Sequence, residues 1–214
     1  PHGTAVVIED FSEDDRMIRI RAEIYCEKQS HKGIIVGKNG DTLKKIGSYA
    51  YDGLMTLENA GTGPWTLTGV IDAESGAAAT ELVLKGDSAF PATLSAAIAD
   101  FQSGVPLAVT KEGTGTWKLA GECTNTGATQ VNSGTLELAD GVSSVSPLTL
   151  AAGASLKVSP SATVSLGTVS VGGAAVLELG AGASLTIAEM SADDYAKLKV
   201  VARPGSSLVM NGSP

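Results

Sequence analysis

Apolar and charged positions interleave closely over residues 1–50. Ile18, Ile20, Ala22 and Ile24 alternate with Arg19, Arg21, Glu23 and Tyr25, a period of two that predicts a strand with one polar face. Ala5 to Ile8 predicts a second strand, and Ser12 to Asp15 the turn between the two. Ile34, Ile35 and Val36 then stand before Gly37-Lys38-Asn39-Gly40. Asp41 is placed as the N-cap of a short helix that carries Leu43 and Ile46 three residues apart. The order strand, strand, helix, glycine loop, helix is that of a small α/β unit.

From about Leu54 to the C-terminus the pattern is different: short apolar alternations separated by Gly, Ala, Ser, Thr and Asn. Met55 to Gly69 aligns with Leu107 to Gly121 at a shift of 52, matching Gly61 with Gly113, Trp65 with Trp117, Leu67 with Leu119 and Gly69 with Gly121. AGASLKV at 152–158 recurs as AGASLTI at 181–187. Apolar alternations start at Leu148, Leu156 and Val164, eight apart, and again at Val169, Leu177 and Leu185. Rungs this short cannot bury an apolar face alone and must stack on one another, so the expected fold is mainly β, a right-handed parallel β-helix or solenoid. A β-sandwich is the competing architecture, because regular short strands with glycine turns suit it as well. Two segments break the pattern. Ser88 to Gln102 sets Leu94, Ile98 and Phe101 at helical spacing, and Ser191 to Leu198 reads as a capped helical turn; both are expected as excursions from the solenoid wall.

The domain division follows this change of pattern: an incomplete α/β segment over 1–53 and a Gly/Ala/Ser/Thr-rich solenoid over 54–214. Composition sharpens it. The chain is 43% hydrophobic but 4% aromatic, so its core is built without bulky rings. Residues 1–50 balance eight basic groups against eight acidic ones, which leaves 7 basic and 15 acidic groups beyond them to account for the whole net charge of −8. An acidic, lysine-poor solenoid is a poor surface for a phosphate backbone, so nucleic-acid contacts belong to the first part. No apolar run approaches the roughly 18–20 residues of a membrane helix. Cys26 and Cys123 fall one in each part and imply neither a disulfide nor a metal cluster.

Through PHGTAVVIEDF, IRIRAEIYCEKQSHKGIIVGKNG and LKKIGSYA, residues 1–50 resemble the start of the type II KH domain of the bacterial GTPase Era. That resemblance implies a module binding single-stranded RNA near the 3′ end of small-subunit ribosomal RNA, and it places the Gly-x-x-Gly role on Gly37 and Gly40, with Lys38 and Asn39 between them. It stops near Ala50, before the second helix would finish and before the closing strand, and the family's GTPase domain has no counterpart in the sequence. Residues 113–139 resemble the autotransporter-associated, or passenger-associated, β-strand repeat, through Gly113-Thr114-Gly115, Leu119, Gly121, Asn125, Gly127, Thr129, Val131, Asn132, Gly134, Thr135 and Leu136. That repeat belongs to secreted β-helical passengers of bacterial surface proteins. The two resemblances imply opposite compartments, cytoplasm for the first and cell surface for the second.

Glycines let a KH loop approach the sugar-phosphate backbone while helix N-termini point partial positive charge at it. The expected RNA-binding residues are Lys32, Ile34, Ile35, Gly37, Lys38, Asn39, Gly40, Lys44 and Lys45: lysines on phosphates, isoleucines flooring the base groove. Gly33 to Lys38 is not a P-loop, since three residues rather than four separate its glycines and Asn39 stands where Ser or Thr is needed. No GTP binding, cofactor, metal or catalysis is expected. Asp193-Asp194 reads as a helix first turn. Glu137 and Glu178 read as single outward residues, and Trp65 and Trp117 as rung or cap positions rather than sugar platforms. Three readings stay open: single-stranded RNA binding attached to a structural solenoid, a surface or secreted passenger-like solenoid with an adhesive role and an inert N-terminal segment, and two unrelated reading frames joined.

Overall fold

A computed structural model describes residues 4–14, 17–26, 54–71, 81–100, 106–144 and 147–211. The first described unit is an antiparallel pair, β1 (Thr4–Asp14) with β2 (Met17–Cys26). Its register sets Val6 opposite Ile24 and Ile8 opposite Ala22, slips between Ile8 and Asp10, and resumes with Phe11 opposite Ile20. The slip changes the phase of the alternation, which is why the strand reads from sequence as ending at Ile8. The turn expected at Ser12 to Asp15 is corrected accordingly: Ser12, Glu13 and Asp14 are strand residues paired with Arg19, Ile18 and Met17. The expected helix after Asp41 lies outside the described residues.

From Leu54 onward the described residues form a parallel β-solenoid whose strands lie on three faces. The first face stacks β3 (Leu54–Glu58), β6 (Glu81–Lys85), β9 (Ala108–Lys111), β11 (Thr129–Val131), β14 (Leu148–Leu150) and the second half of β16 (Thr163–Val171). The second stacks β4 (Trp65–Leu67), β7 (Ala92–Leu94), β10 (Thr116–Leu119), β12 (Thr135–Leu138), β15 (Ser155–Val158), β17 (Ala175–Leu179) and β19 (Leu198–Ala202). On the third face β5 (Val70–Ile71) pairs with β8 (Ala97–Ile98), and Ile98 bridges to Cys123. There too the first half of β16 lies between β13 (Ser143–Ser144) and β18 (Ser184–Glu189), and β18 pairs with β20 (Ser207–Met210). Every one of these pairings is parallel, which excludes the antiparallel sandwich.

The expected steps of eight are moves from one face to the next, and the turn period is 21: Leu148 pairs with Val169, Leu156 with Leu177 and Val164 with Leu185. Each of those side chains points inward and is buried. The shift of 52 holds on the second face, where Trp65 and Trp117 both pair with Ala92, two turns apart. On the first face Met55 and Val109 flank Leu82, a spacing of 54, and the two-residue difference is absorbed at the corner between the faces.

The helical spacing of Leu94 and Ile98 is overturned. Leu94 ends β7 and Ile98 ends β8, and both point into the core from two faces around the Ser95-Ala96 corner. Two strands meeting at a corner reproduce a spacing of four without a helix; Phe101 lies outside the described residues. The second excursion is observed. Ser191 caps α1 (Ala192–Ala196), its hydroxyl accepting from the Asp194 N–H, with Asp193 and Asp194 in the first turn.

Candidate functional site

Lys32, Ile34, Ile35, Gly37, Lys38, Asn39, Gly40, Lys44 and Lys45 all lie outside the described residues; of the region that carries them, the β1–β2 pair is described. The polar groups of the solenoid are described in detail, and sequence reasoning missed most of their roles.

Lys111 occupies an inward position of the first face, in register with Leu57 and Leu84 before it and Val131 after it. It is fully buried, and its ammonium donates to the carbonyls of Glu112 and Gly113 at 2.7 Å each and of Ser133 at 3.2 Å. Burial pushes its pKa down to about 8, against the attraction of Asp87 and Glu112. The corner it plugs is tight. Gly113 and Gly134 have positive φ, and a Cβ at Gly134 would meet the Gly113 carbonyl oxygen at 2.4 Å. The signal for Lys111 was its place at the end of an apolar alternation, directly before the glycine corner.

Aspartates join successive turns. Asp87 accepts from the Thr114 N–H at 2.6 Å and its hydroxyl at 2.9 Å. Asp100 accepts from the Leu107 and Thr126 N–H groups at 2.9 and 2.8 Å, and from the Thr126 hydroxyl at 2.7 Å. The hydrogen bonds to Thr114 hold the Asp87 pKa down; those to Asp100 outweigh its desolvation and lower it as well.

Glu137 and Glu178 belong to a ladder rather than standing singly. On the outer side of the second face Lys118, Glu137, Lys157 and Glu178 follow in register. Glu137 lies 3.6 Å from Lys118 and 3.0 Å from Lys157 and accepts from the Ser159 hydroxyl at 2.6 Å, while Glu178 pairs with Arg203 at 3.1 Å. Desolvation of Glu137 is more than offset by Ser159 and Lys157, so its pKa is lowered.

The tryptophans take rung positions on the second face, as expected. Ala92 is small enough to let Trp65 and Trp117 meet edge to face across it at 5.2 Å, and the Trp117 indole N–H donates to the Lys85 carbonyl at 2.7 Å. Cys123 is a buried free thiol whose pKa burial pushes up to about 11, which makes it unreactive. Among the described residues no group of three or more His, Cys, Asp or Glu is placed to hold a metal, and no helix is long and apolar enough to cross a membrane.

Residues 1–60 match the KH domain family, and residues 109–138 match the passenger-associated-transport-repeat. The repeat runs from β9 through β12, one complete turn of the solenoid with the start of the next. The chain is 61% identical over 51 residues to the GTPase Era of Ruminiclostridium cellulolyticum, covering 23% of this chain and 17% of that protein. It is 54% identical over 59 residues to the GTPase Era of Caldicellulosiruptor saccharolyticus, covering 27% and 20%. With the GTPase Era of Clostridium acetobutylicum the identity is 54% over 50 residues, covering 23% and 17%. The chain thus spans about a fifth of the length of these relatives, and the likeness is confined to its N-terminal segment. No solved structure matches the chain at a significant level.

Proposed function

We propose that this chain is a non-catalytic RNA-binding protein, in which a KH segment over residues 1–53 contacts single-stranded RNA and a rigid β-solenoid over 54–214 carries it. The observation that supports this most is the 61% identity over 51 residues to a GTPase Era, within a KH match at residues 1–60 that includes Gly37 to Gly40. Gly37 and Gly40 admit the sugar-phosphate backbone, and Lys38, with Lys32, Lys44 and Lys45, neutralises phosphates. Ile34, Ile35 and Asn39 face the bases. The β1–β2 pair fits the sheet such a module needs behind its loop. The acidic, lysine-poor solenoid is a poor surface for a phosphate backbone, so binding rests on the first part. No GTP binding belongs to this reading.

Fluorescence anisotropy with short single-stranded RNA is expected to show binding that weakens as salt rises and exceeds that of a duplex of the same sequence. Lys38→Glu is expected to lower the affinity at least tenfold, about 1.4 kcal/mol. No binding at low salt, or an unchanged affinity in that variant, overturns the reading. One observation favours a second: the match to the passenger-associated-transport-repeat falls on a regular turn of the solenoid. In that reading the wall is a structural or adhesive surface at the cell exterior and the N-terminal segment is inert, so the full chain binds no RNA.

A further inference from the structure

The first rung of the solenoid consists of β3, β4 and β5, and each is the last strand of its sheet. Register places Met55 and Leu57 over the inward Leu82 and Leu84, Trp65 and Leu67 over Ala92 and Leu94, and Ile71 over Ile98. These inward apolar side chains end the core on this side, and among the described residues no strand lies beyond them. The opposite end, where β19 and β20 are the last strands, offers a comparison. There the inward Leu198, Val200 and Leu208 are half-buried, and Ala202 and Met210 are exposed, Met210 at 39%. In the first rung Met55, Leu57 and Trp65 are half-buried, while Leu67 and Ile71 are only 5% and 7% exposed. The first rung is the better covered of the two ends.

A cover needs apolar side chains and a short path to the rung. Residues 72–80 carry no apolar side chain larger than alanine. Residues 27–53 lead directly into β3 and carry Ile34, Ile35, Val36, Leu43 and Ile46. On the helix expected after Asp41, Leu43, Ile46 and Ala50 share one face, and Lys44, Lys45 and Ser48 share the opposite one. The path from Ala50 to Leu54 spans at most about 14 Å, at roughly 3.3–3.6 Å per residue. A helix over 42–50 is itself about 14 Å long. So short a tether keeps its apolar face beside the first rung at an effective concentration on the order of millimolar. The end unit of a solenoid also needs a polar outer side, which Lys44, Lys45 and Ser48 supply.

We infer that residues 41–50 cap the solenoid as a helix, laying Leu43, Ile46 and Ala50 on Met55, Leu57 and Trp65. Trp65 meets Trp117 edge to face at 5.2 Å on its inner side, and the helix takes its outer side. The cap concerns the first rung alone, since the later turns bury their inward side chains against one another. It sets Gly37 to Gly40, directly before the helix, at this end of the solenoid. The inference rests on apolar contact and does not depend on RNA binding.

Methyl NMR on the full chain, with its Leu, Ile and Met methyl groups isotope-labelled, tests the contact directly. Nuclear Overhauser contacts are expected from the Leu43 and Ile46 methyls to the Trp65 indole and the Met55 methyl. Their absence, or contacts of those methyls with β1 and β2 alone, overturns the inference. Two variants give a second reading. Leu43→Gln combined with Ile46→Gln is expected to raise acrylamide quenching of tryptophan fluorescence roughly twofold, through Trp65, because Trp117 is fully buried. The same variant is expected to speed exchange of the Asn59 amide, which donates to the Lys85 carbonyl at 2.9 Å, at least tenfold, with an unchanged β-type circular dichroism spectrum. Ser48→Gln, on the opposite face, is expected to change neither. Quenching and exchange unaltered by the double variant, or altered equally by Ser48→Gln, overturn the inference. Quenching of the wild-type chain that varies with protein concentration puts a second copy on the rung and overturns it as well.

Discussion

Gly134 and Lys111 show how closely the first corner is specified. Gly134 has φ 66°, and a Cβ there would meet the carbonyl oxygens of Gly113 and Gly115 at 2.4 and 2.6 Å. Gly141 has φ 76° with nothing near its Cβ position. Gly141→Val therefore meets the left-handed penalty alone, about 1–2 kcal/mol, whereas Gly134→Val adds a backbone clash and is expected to cost roughly 3 kcal/mol or more. Urea midpoints of the two variants measure the difference. At Lys111 burial lowers the pKa to about 8 from the 10.5 of the free side chain. A base with a depressed folded-state pKa binds fewer protons folded than unfolded, so this group makes stability rise between pH 8 and 10.5. Cys123, with its pKa raised from 9.0 to about 11, acts the opposite way over the upper part of that range. The comparison of wild type with Lys111→Met cancels the cysteine. The variant is expected to lose the rise, and to lose roughly 2–4 kcal/mol at pH 7 because three corner carbonyls lose the ammonium and that of Gly113 alone keeps a side-chain donor, the Ser133 hydroxyl.

Strands were legible in the sequence where one face of the alternation is apolar and the register is continuous, as at Leu148, Leu156 and Val164. They were misread in two situations with distinct physical causes. A register slip at Ile8 to Asp10 hid the second half of β1, and a corner between two inward-pointing residues, Leu94 and Ile98, imitated a helix. The devices that join one turn to the next were not legible, because an aspartate on a loop gives no sign of which N–H it will meet some 26 residues away. These devices set the acid limit of the solenoid. Asp87, Asp100 and Asp194 have lowered pKa values: Thr114 bonds Asp87, backbone and Thr126 bonds outweigh desolvation at Asp100, and Lys197 and Ser191 bond Asp194. A carboxylate with a depressed folded-state pKa contributes stability above its unfolded value that is lost as pH falls through the folded one. The Tm is therefore expected to drop from about pH 4 downward. Asp100→Asn keeps one side-chain oxygen and loses the acceptor for the Thr126 hydroxyl. It is expected to lower Tm at pH 7 and to flatten the acid limb, which a calorimetric pH series would reveal.

At the scale of the whole molecule, the change of pattern near Leu54 coincides with the start of β3, which pairs with β6 as the first rung of the solenoid. The proposed RNA-binding residues, by contrast, rest on family likeness alone, since nothing in the spacing of Gly37, Lys38 and Gly40 distinguishes a nucleic-acid loop from a plain connection. The solenoid closes its own core, so residues 54–214 made alone are expected to give a β-type circular dichroism spectrum and a protease-resistant fragment; a helical spectrum contradicts this. The N-terminal segment stands differently. Its described strands form a two-stranded sheet, and a lone pair of that kind is marginal in water. Some fifty residues with few large apolar side chains bury too little surface to offset their ordering entropy. Among the described residues β3 pairs with β6 and adds no strand to β1 or β2. Residues 1–53 made alone are therefore expected to be largely unfolded, with the amides of Ile18 to Tyr25 exchanging freely. In the full chain, if the segment binds RNA as proposed, those amides are expected to be protected from hydrogen exchange, and more so when RNA is bound, because a ligand that binds only the folded form stabilises it. Protection in the isolated segment makes it an independent domain and contradicts the dependence argued here. Free exchange in the full chain, unchanged by RNA, removes the KH segment from the functional reading and leaves the solenoid as the working unit.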